Sequence, residues 1–174
     1  KPRGLVVSAN DEHGRRTVYQ LLDDPALPWL GPVGRLDKAS EGLLLLSNDT
    51  AWAAGITNPA SSLEKTYHVQ IAGLPDSELL RQMQSGVNDG SEMLRARRVQ
   101  LLRQGQRNTW LEVTLDEGRN RHIRRLLAAL GFEVLRLLRV SIGSVALGRL
   151  AKGSWRHLEA EEVAALKPGQ SRDR

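Results

Sequence analysis

The sequence predicts an α+β fold: a mainly antiparallel mixed sheet with flanking helices. Three observations lead there. Apolar residues alternate with polar ones in two stretches, Lys65 to Gly73 and Thr109 to Gly118, as strands with one buried face require. Between them lies a segment with apolar residues at helical spacing, Pro75 to Gly86. The links include Gly- and Asp-containing turns such as "VNDGS", Val87 to Ser91, which suit hairpins better than the long crossovers of a parallel sheet.

In chain order, "GLVVS" (Gly4 to Ser8) and "GLLLLS" (Gly42 to Ser47) read as buried strands. In "KTYHVQIAG" the residues Tyr67, Val69 and Ile71 face inward while Thr66, His68 and Gln70 face out. The following helix takes Asp76 or Ser77 as its cap, sets Leu79, Leu80 and Met83 on one face and stops at Gly86. "TWLEVTLDEG" repeats the strand pattern, with Leu111, Val113 and Leu115 inside. Ile123, Leu126, Leu127 and Leu130 then recur at helical spacing, with Asn120 as N-cap and Gly131 as the stop. "EAEE", from Glu159, reads as the start of a last helix, ahead of the polar tail "KPGQSRDR".

A chain of 174 residues is one domain, or one domain split into two lobes, and is long enough to bury a sizeable core. Hydrophobic residues make up 40%, and no apolar run approaches the roughly 20 residues needed to cross a bilayer. Without cysteine the chain forms neither disulfides nor thiolate metal sites, which suits a reducing compartment. The start, "KPRGLVVS", lacks an initiator Met and the apolar core of a signal peptide, so an upstream segment is expected to have been removed.

Lys and Arg number 25 against 20 Asp and Glu, and the positive charges concentrate in the second half. "EGRNRHIRR", Glu117 to Arg125, carries four arginines, and Arg136, Arg139, Arg149, Lys152 and Arg156 follow. Such a cluster suits a polyanion, because each neutralised phosphate releases counterions; a solvated basic face is the plainer alternative. At about 100° per residue, Arg121 and Arg125 point away from the apolar stripe, where they could meet phosphate near the positive end of the helix dipole. Arg124 lies on the border of that stripe and can reach a partly buried partner.

Asp37 stands in "GPVGRLDKASEGLLLLSND", just ahead of an oily strand. Alone, it reads either as a turn cap between Gly34 and Gly42 or as a reactive carboxylate. Tyr67 alone reads either as core or as an aromatic face for a base. The wider pattern bears on both. "KPRG", "GRLDKASEGLLLLSND", "EKTYHVQIAG", "GRNRHIRRLLAALGFEVLRLLRV" and "LGRLAKGSWRHLEAEEV" occur in the order and spacing that resembles the RsuA-type family of ribosomal RNA pseudouridine synthases. The resemblance runs from Lys1 to about Leu166.

That resemblance implies a catalytic domain over residues 1–168, with an active-site cleft between two lobes around one continuous sheet, and a polar tail over 169–174. It implies that a specific ribosomal uridine is detached, turned over and rejoined through carbon 5, with Asp37 as the reacting carboxylate. That chemistry needs no metal or other cofactor, in keeping with a chain lacking a Walker loop, a dinucleotide fingerprint and a His/Cys ligand cluster. A carboxylate enclosed away from water is kept ionised by a guanidinium, and the family pattern gives that role to Arg124. It lays Tyr67 against a uracil flipped out of its stack.

Weaker assignments follow from the same likeness. Arg35, Lys65, Arg119, Arg121 and Arg125 are candidates for RNA phosphates, and Leu147 and Leu150 for the apolar floor beneath the base. His122 replaces the family's more usual glutamine and reads as an RNA-facing or neutral helix residue, not a general base. "SNDT" replaces "TNDG", and Ser40 replaces a threonine. Many relatives carry a small RNA-binding domain ahead of the catalytic part, so the chain is expected either to belong to a branch lacking that domain or to have been cut from a longer one. The expected partner is ribosomal RNA, presenting a single-stranded or loop uridine, free or in an assembling subunit. A monomer in the bacterial cytoplasm, away from membranes, is implied too. The competing reading is a non-catalytic ribosomal RNA-binding or assembly factor, which would need the arginines but not Asp37. A metal-dependent nuclease would need clustered carboxylates or histidines and ranks behind both.

Overall fold

The computed structural model describes residues 1–61 and 63–167, so the tail expected over 169–174 lies outside the described residues. The chain divides into two compact units, one built from the segments before Glu64 and after Val140, the other from Glu64–Val140.

The second unit is organised by a pair of long strands, β4 (Lys65–Ala72) and β8 (Asn108–Leu115) in chain numbering, antiparallel from Lys65↔Leu115 to Ala72↔Asn108. β7 (Arg98–Gln104) lies beyond β8 and β9 (Val134–Ile142) beside β4, giving the order β9, β4, β8, β7. The period of two does what it implied. Val69, Ile71, Leu111 and Val113 are fully buried, and they pack with Leu126 and Leu127 of α3 (His122–Ala129) and with Leu79 and Met83 of α2 (Ser77–Ser85). Each such side chain contributes about 1.5–3 kcal/mol by leaving water. α2 begins where Asp76 accepts a hydrogen bond from the Leu79 amide at 2.8 Å and ends on Gly86 at φ 109°. The "VNDGS" turn closes a short hairpin, β5 (Val87–Asn88) against β6 (Met93–Leu94).

α3 departs from expectation at its start. Its N-cap is Arg121, in the left-handed conformation at φ 49°, and not Asn120; no side chain caps it. Two polar residues are also buried on β8, Thr109 in phase with the predicted inner face and Thr114 on the opposite one; Thr109 Oγ1 donates to the Gly73 carbonyl at 2.9 Å, and Thr114 Oγ1 lies 3.4 Å from Thr66 Oγ1.

In the first unit β1 (Gly31–Val33) pairs antiparallel with β3 (Leu45–Ser47), and the oily run is broken between β2 (Glu41–Gly42) and β3. "GLVVS" forms no strand. Its one ladder contact is a parallel bridge from Val6 to Thr17, although Leu5 is buried. Asp49 caps α1 (Thr50–Thr57) by accepting from Trp52 N at 2.9 Å, and the Trp52 indole donates to Val163 O in α4 (Ala160–Ala165) at 3.1 Å. The capping box between Glu159 and Glu162 explains "EAEE" as a helix start. Val33, Leu43, Leu45 and Ile56 share one core with Ile142, Val145 and Leu166.

That core is closed by a tight turn. Ile142 pairs with Val145 at the junction of β9 and β10 (Val145–Ala146), so Gly143 and Ser144 make the loop, with Gly143 at φ 54°. A Cβ there would lie 2.8 Å from Leu63 Cδ1 and 3.0 Å from Leu166 Cδ2. Gly143→Ala therefore combines backbone strain with overpacking and should lower the unfolding free energy by roughly 1–3 kcal/mol, read as a fall in the urea midpoint at unchanged slope.

Candidate active site

Asp37 sits on a turn whose main chain is pinned from below. β1 ends at Val33, Gly34 bends the chain at φ 78°, and a 2.9 Å bond from Ser40 N to Asp37 O closes a β-turn. Residues 1–4 then grip it. Lys1 Nζ donates to Asp37 O at 3.0 Å and to Ser40 O at 2.6 Å, and Gly4 N donates to Lys38 O at 2.8 Å. The Lys1 main chain exchanges two further bonds with Gly42, at 2.8 and 3.0 Å. "KPRG" and "GRLD" are thus parts of one structural element, which explains why both recur in the motif pattern. The ammonium also puts positive charge beneath the turn.

Around this turn Arg35 is exposed, Leu36 and Ser40 are buried, and Asp37 is half-buried. Glu41 is buried as well, and its carboxylate is balanced by Lys152 Nζ at 2.8 Å, from "LAKGS". Sequence reasoning missed Lys1 and this pair. The first was hidden in a motif valued only as a marker; the second spans 111 positions with no periodic signal. Leu147 packs on the first unit's core, and Leu150 is half-buried just after it.

In the second unit Tyr67 is half-buried on β4, packed against the core that Val69 and Ile71 fill. Two positions earlier, the Lys65 ammonium is shifted down from its usual range, first by burial and then by repulsion from buried Arg139, while Asp116 partly compensates. Arg124, as its border position implied, is half-buried, and its Nη1 donates to Val134 O at 3.2 Å. Arg121 is exposed, and its left-handed backbone costs of order 1 kcal/mol.

The remaining arginines of the cluster are engaged by carboxylates. Arg125 Nε lies 2.6 Å from Asp89 Oδ2, and its Nη1 lies 2.8 Å from Glu92 Oε1. Arg119 pairs with Glu117 at 2.9 Å and with Glu92. These ion pairs hold the Asp89 and Glu92 carboxyls below the usual carboxylate range and raise both guanidiniums further. Glu117 belongs to the Arg-rich segment itself, whereas Asp89 and Glu92, which the sequence did not link to these arginines, arrive from the β5–β6 hairpin.

His122, expected to be RNA-facing or a neutral helix residue, is buried at the start of α3. It is only 3% exposed, and neither ring nitrogen makes a hydrogen bond among the described residues. Burial pushes its imidazolium below the ordinary range, outweighing the Glu117 carboxylate 3.7 Å from Nδ1 and a backbone group of Arg95; Arg119 and Arg125 push the same way as burial. Among the described residues no group of three His, Asp or Glu side chains could hold a metal ion, and no helix is long and apolar enough to cross a membrane.

The sequence profile of the RNA pseudouridylate synthase family matches residues 1–129, which include Asp37, Tyr67 and Arg124. The chain belongs to this family. It is 38% identical over 154 residues to an RNA pseudouridine synthase of Aquifex aeolicus, covering 88% of this chain but only 61% of that relative's length. It is also 38% identical to ribosomal large subunit pseudouridine synthase E of Xanthomonas campestris, covering 98% of this chain and 97% of that one. A pseudouridylate synthase crystal structure superposes with a TM-score of 0.82 at 34% identity, over 95% of this chain and 70% of its own. The α+β expectation and the family resemblance both hold for this pseudouridylate synthase family member.

Because the unfolded chain binds a proton on His122 near pH 6.5 and the folded chain resists it, stability contributed at this site is complete above that pH and is lost as pH falls through it. Thermal unfolding between pH 7.5 and 5 should therefore show a steeper loss of Tm for the wild type than for His122→Gln, which cannot take up the proton.

Proposed function

We propose that this chain isomerises a uridine of large-subunit ribosomal RNA to pseudouridine, with Asp37 as the reacting carboxylate. The observation that carries the reading is the grip of Lys1 on the Asp37 turn in a chain of the pseudouridylate synthase family. A turn with its carbonyls held this way presents its side chain in a fixed place, as a catalytic group needs. The choice of large-subunit RNA follows the name of the Xanthomonas relative, which this chain matches nearly end to end.

In the reaction the bond from C1′ to N1 breaks, the uracil turns, and C5 bonds to C1′. C5 gives up its hydrogen and N1 gains one, so no atom is gained or lost overall. Asp37 acts at the sugar during detachment and assists proton movement as the base is exchanged. Tyr67 supplies a face for the unstacked uracil, worth about 1–3 kcal/mol, with its ring steadied by the β4 core. Arg124 favours the ionised carboxylate. Lys65, Arg35 and Arg121 hold phosphates, and Leu147 and Leu150 line the base site from its apolar side.

Loss of the C5 hydrogen supplies the test. Purified protein acting on large-subunit ribosomal RNA transcribed with 5-tritiated uridine should release tritium, and Asp37→Asn should lower that rate by at least about 100-fold while still binding the transcript. Binding without tritium release by the wild type would instead identify a non-catalytic RNA-binding factor; an unimpaired Asp37→Asn variant would remove Asp37 from the mechanism.

A further inference from the structure

The acidic tip of the β5–β6 hairpin does more than offset nearby positive charge. Asp89 is only 10% exposed at its side chain. Its Oδ1 accepts from Ser91 N at 3.0 Å, Ser91 Oγ at 2.8 Å and Glu92 N at 3.0 Å, so the hairpin turn is wrapped around this carboxylate. Its Oδ2 takes Arg125 Nε and Nη2, both at 2.6 Å. The same guanidinium continues outward, donating from Nη2 to Ser91 Oγ at 2.8 Å and from Nη1 to Asn120 O at 3.3 Å.

That last bond matters because the Asn120 carbonyl belongs to the peptide immediately before Arg121, the one non-glycine residue with positive φ among the described residues. A strained residue keeps its conformation only where its surroundings over-determine it. The chain of contacts from Asp89 through Arg125 to Asn120 supplies such a constraint from one end, and the 2.9 Å helical bond from Arg125 N to Arg121 O supplies it from the other. Arg124 is the residue next to the clasped arginine. We infer that Asp89 is a positioning residue for the reaction: acting through Arg125, it sets the backbone that carries Arg121 and Arg124. This inference rests on the pseudouridine synthase reading of the site.

The alternative role for Arg125, a phosphate ligand, predicts the opposite sign. If Asp89 merely competes with phosphate for that guanidinium, Asp89→Asn frees the cation and removes a negative charge, so RNA binding tightens and the rate holds or rises. If Asp89 positions the segment, the same variant slows the chemical step while binding is unchanged or tighter. Asn suits the substitution because its amide oxygen keeps the acceptor that the hairpin amides need, while the charge and the second acceptor, which meets Arg125, are removed.

The experiment is single-turnover tritium release from the 5-tritiated large-subunit transcript at saturating enzyme, with Kd measured separately by filter binding. Wild type, Asp89→Asn, Asp89→Glu, Arg125→Lys and Asp37→Asn are compared at a temperature where thermal melts show each to be folded. The expected result is a rate lowered about 10- to 100-fold in Asp89→Asn and in Arg125→Lys, which keeps charge but cannot bridge the same acceptors, at a Kd no weaker than twofold above wild type. Asp89→Glu, with the carboxylate restored, recovers part of the rate. An unchanged rate in Asp89→Asn, or a loss matched by weaker binding, overturns the positioning role; if Asp89→Asn does not fold, the Arg125→Lys rate decides on the same criteria. An active Asp37→Asn or an inactive wild type would instead overturn the underlying functional reading, so the two failures are distinguishable.

Discussion

The turn that carries Asp37 leaves its carbonyls outside any helix or sheet ladder, and the arrangement of the first residues of the chain follows from how those carbonyls are satisfied. Here one ammonium serves two of them, at Asp37 and Ser40, and the amide of Gly4 serves a third at Lys38. The main chain of Lys1 is tied to Gly42 on the far side of the turn. The cost is that residues 1–4 cannot pair as an ordinary strand. This is why "GLVVS", apolar enough to read as one, makes only the Val6–Thr17 bridge: the segment leading into it is committed to the turn.

The second unit solves a parallel problem with charge. Its Arg-rich segment lies at the start of a helix, where amides already carry partial positive charge, so crowded guanidiniums there repel both one another and the helix end. Glu117, Asp89 and Glu92 answer this repulsion with ion pairs to Arg119 and Arg125. The formal charge of +5 therefore understates how unevenly the excess is displayed, because part of the densest basic stretch is neutralised within the fold. His122 responds in a different way: its ring is buried, its imidazolium is disfavoured, and neither ring nitrogen has a hydrogen-bond partner among the described residues.

What could be read in advance divides along the same line. Periodicity located β4, α2, β8 and the apolar face of α3, since burial of Val69, Leu79, Leu111 and Leu126 depends only on local spacing. The family motif pointed to Asp37, Tyr67 and Arg124, and the helical angle set Arg124 at the edge of the core, where it lies half-buried. Contacts across long separations could not be read. Neither the Glu41–Lys152 pair nor the Asp89–Arg125 clasp has a signature in either partner's neighbourhood. Asn120 looked like the N-cap because its type favours that position; the clasp on its carbonyl instead leaves Arg121 to take the strained place.

The boundary of the family match adds a constraint on folding. The profile ends at residue 129, yet the core beneath the Asp37 turn takes Ile142, Val145 and Leu166 from beyond that point. Val33 and Leu45, which flank the turn on β1 and β3, share that core, so the first unit is incomplete until the late segment has arrived. Such a unit must close a loop about as long as the whole second unit before Ile142, Val145 and Leu166 can join Val33, Leu43, Leu45 and Ile56, whereas the second unit is one continuous segment, Glu64–Val140. The region that the family profile matches is therefore shorter than the unit that must fold around it: Gly143, where an added Cβ would meet Leu63 and Leu166, lies beyond the profile yet within the unit that carries Asp37.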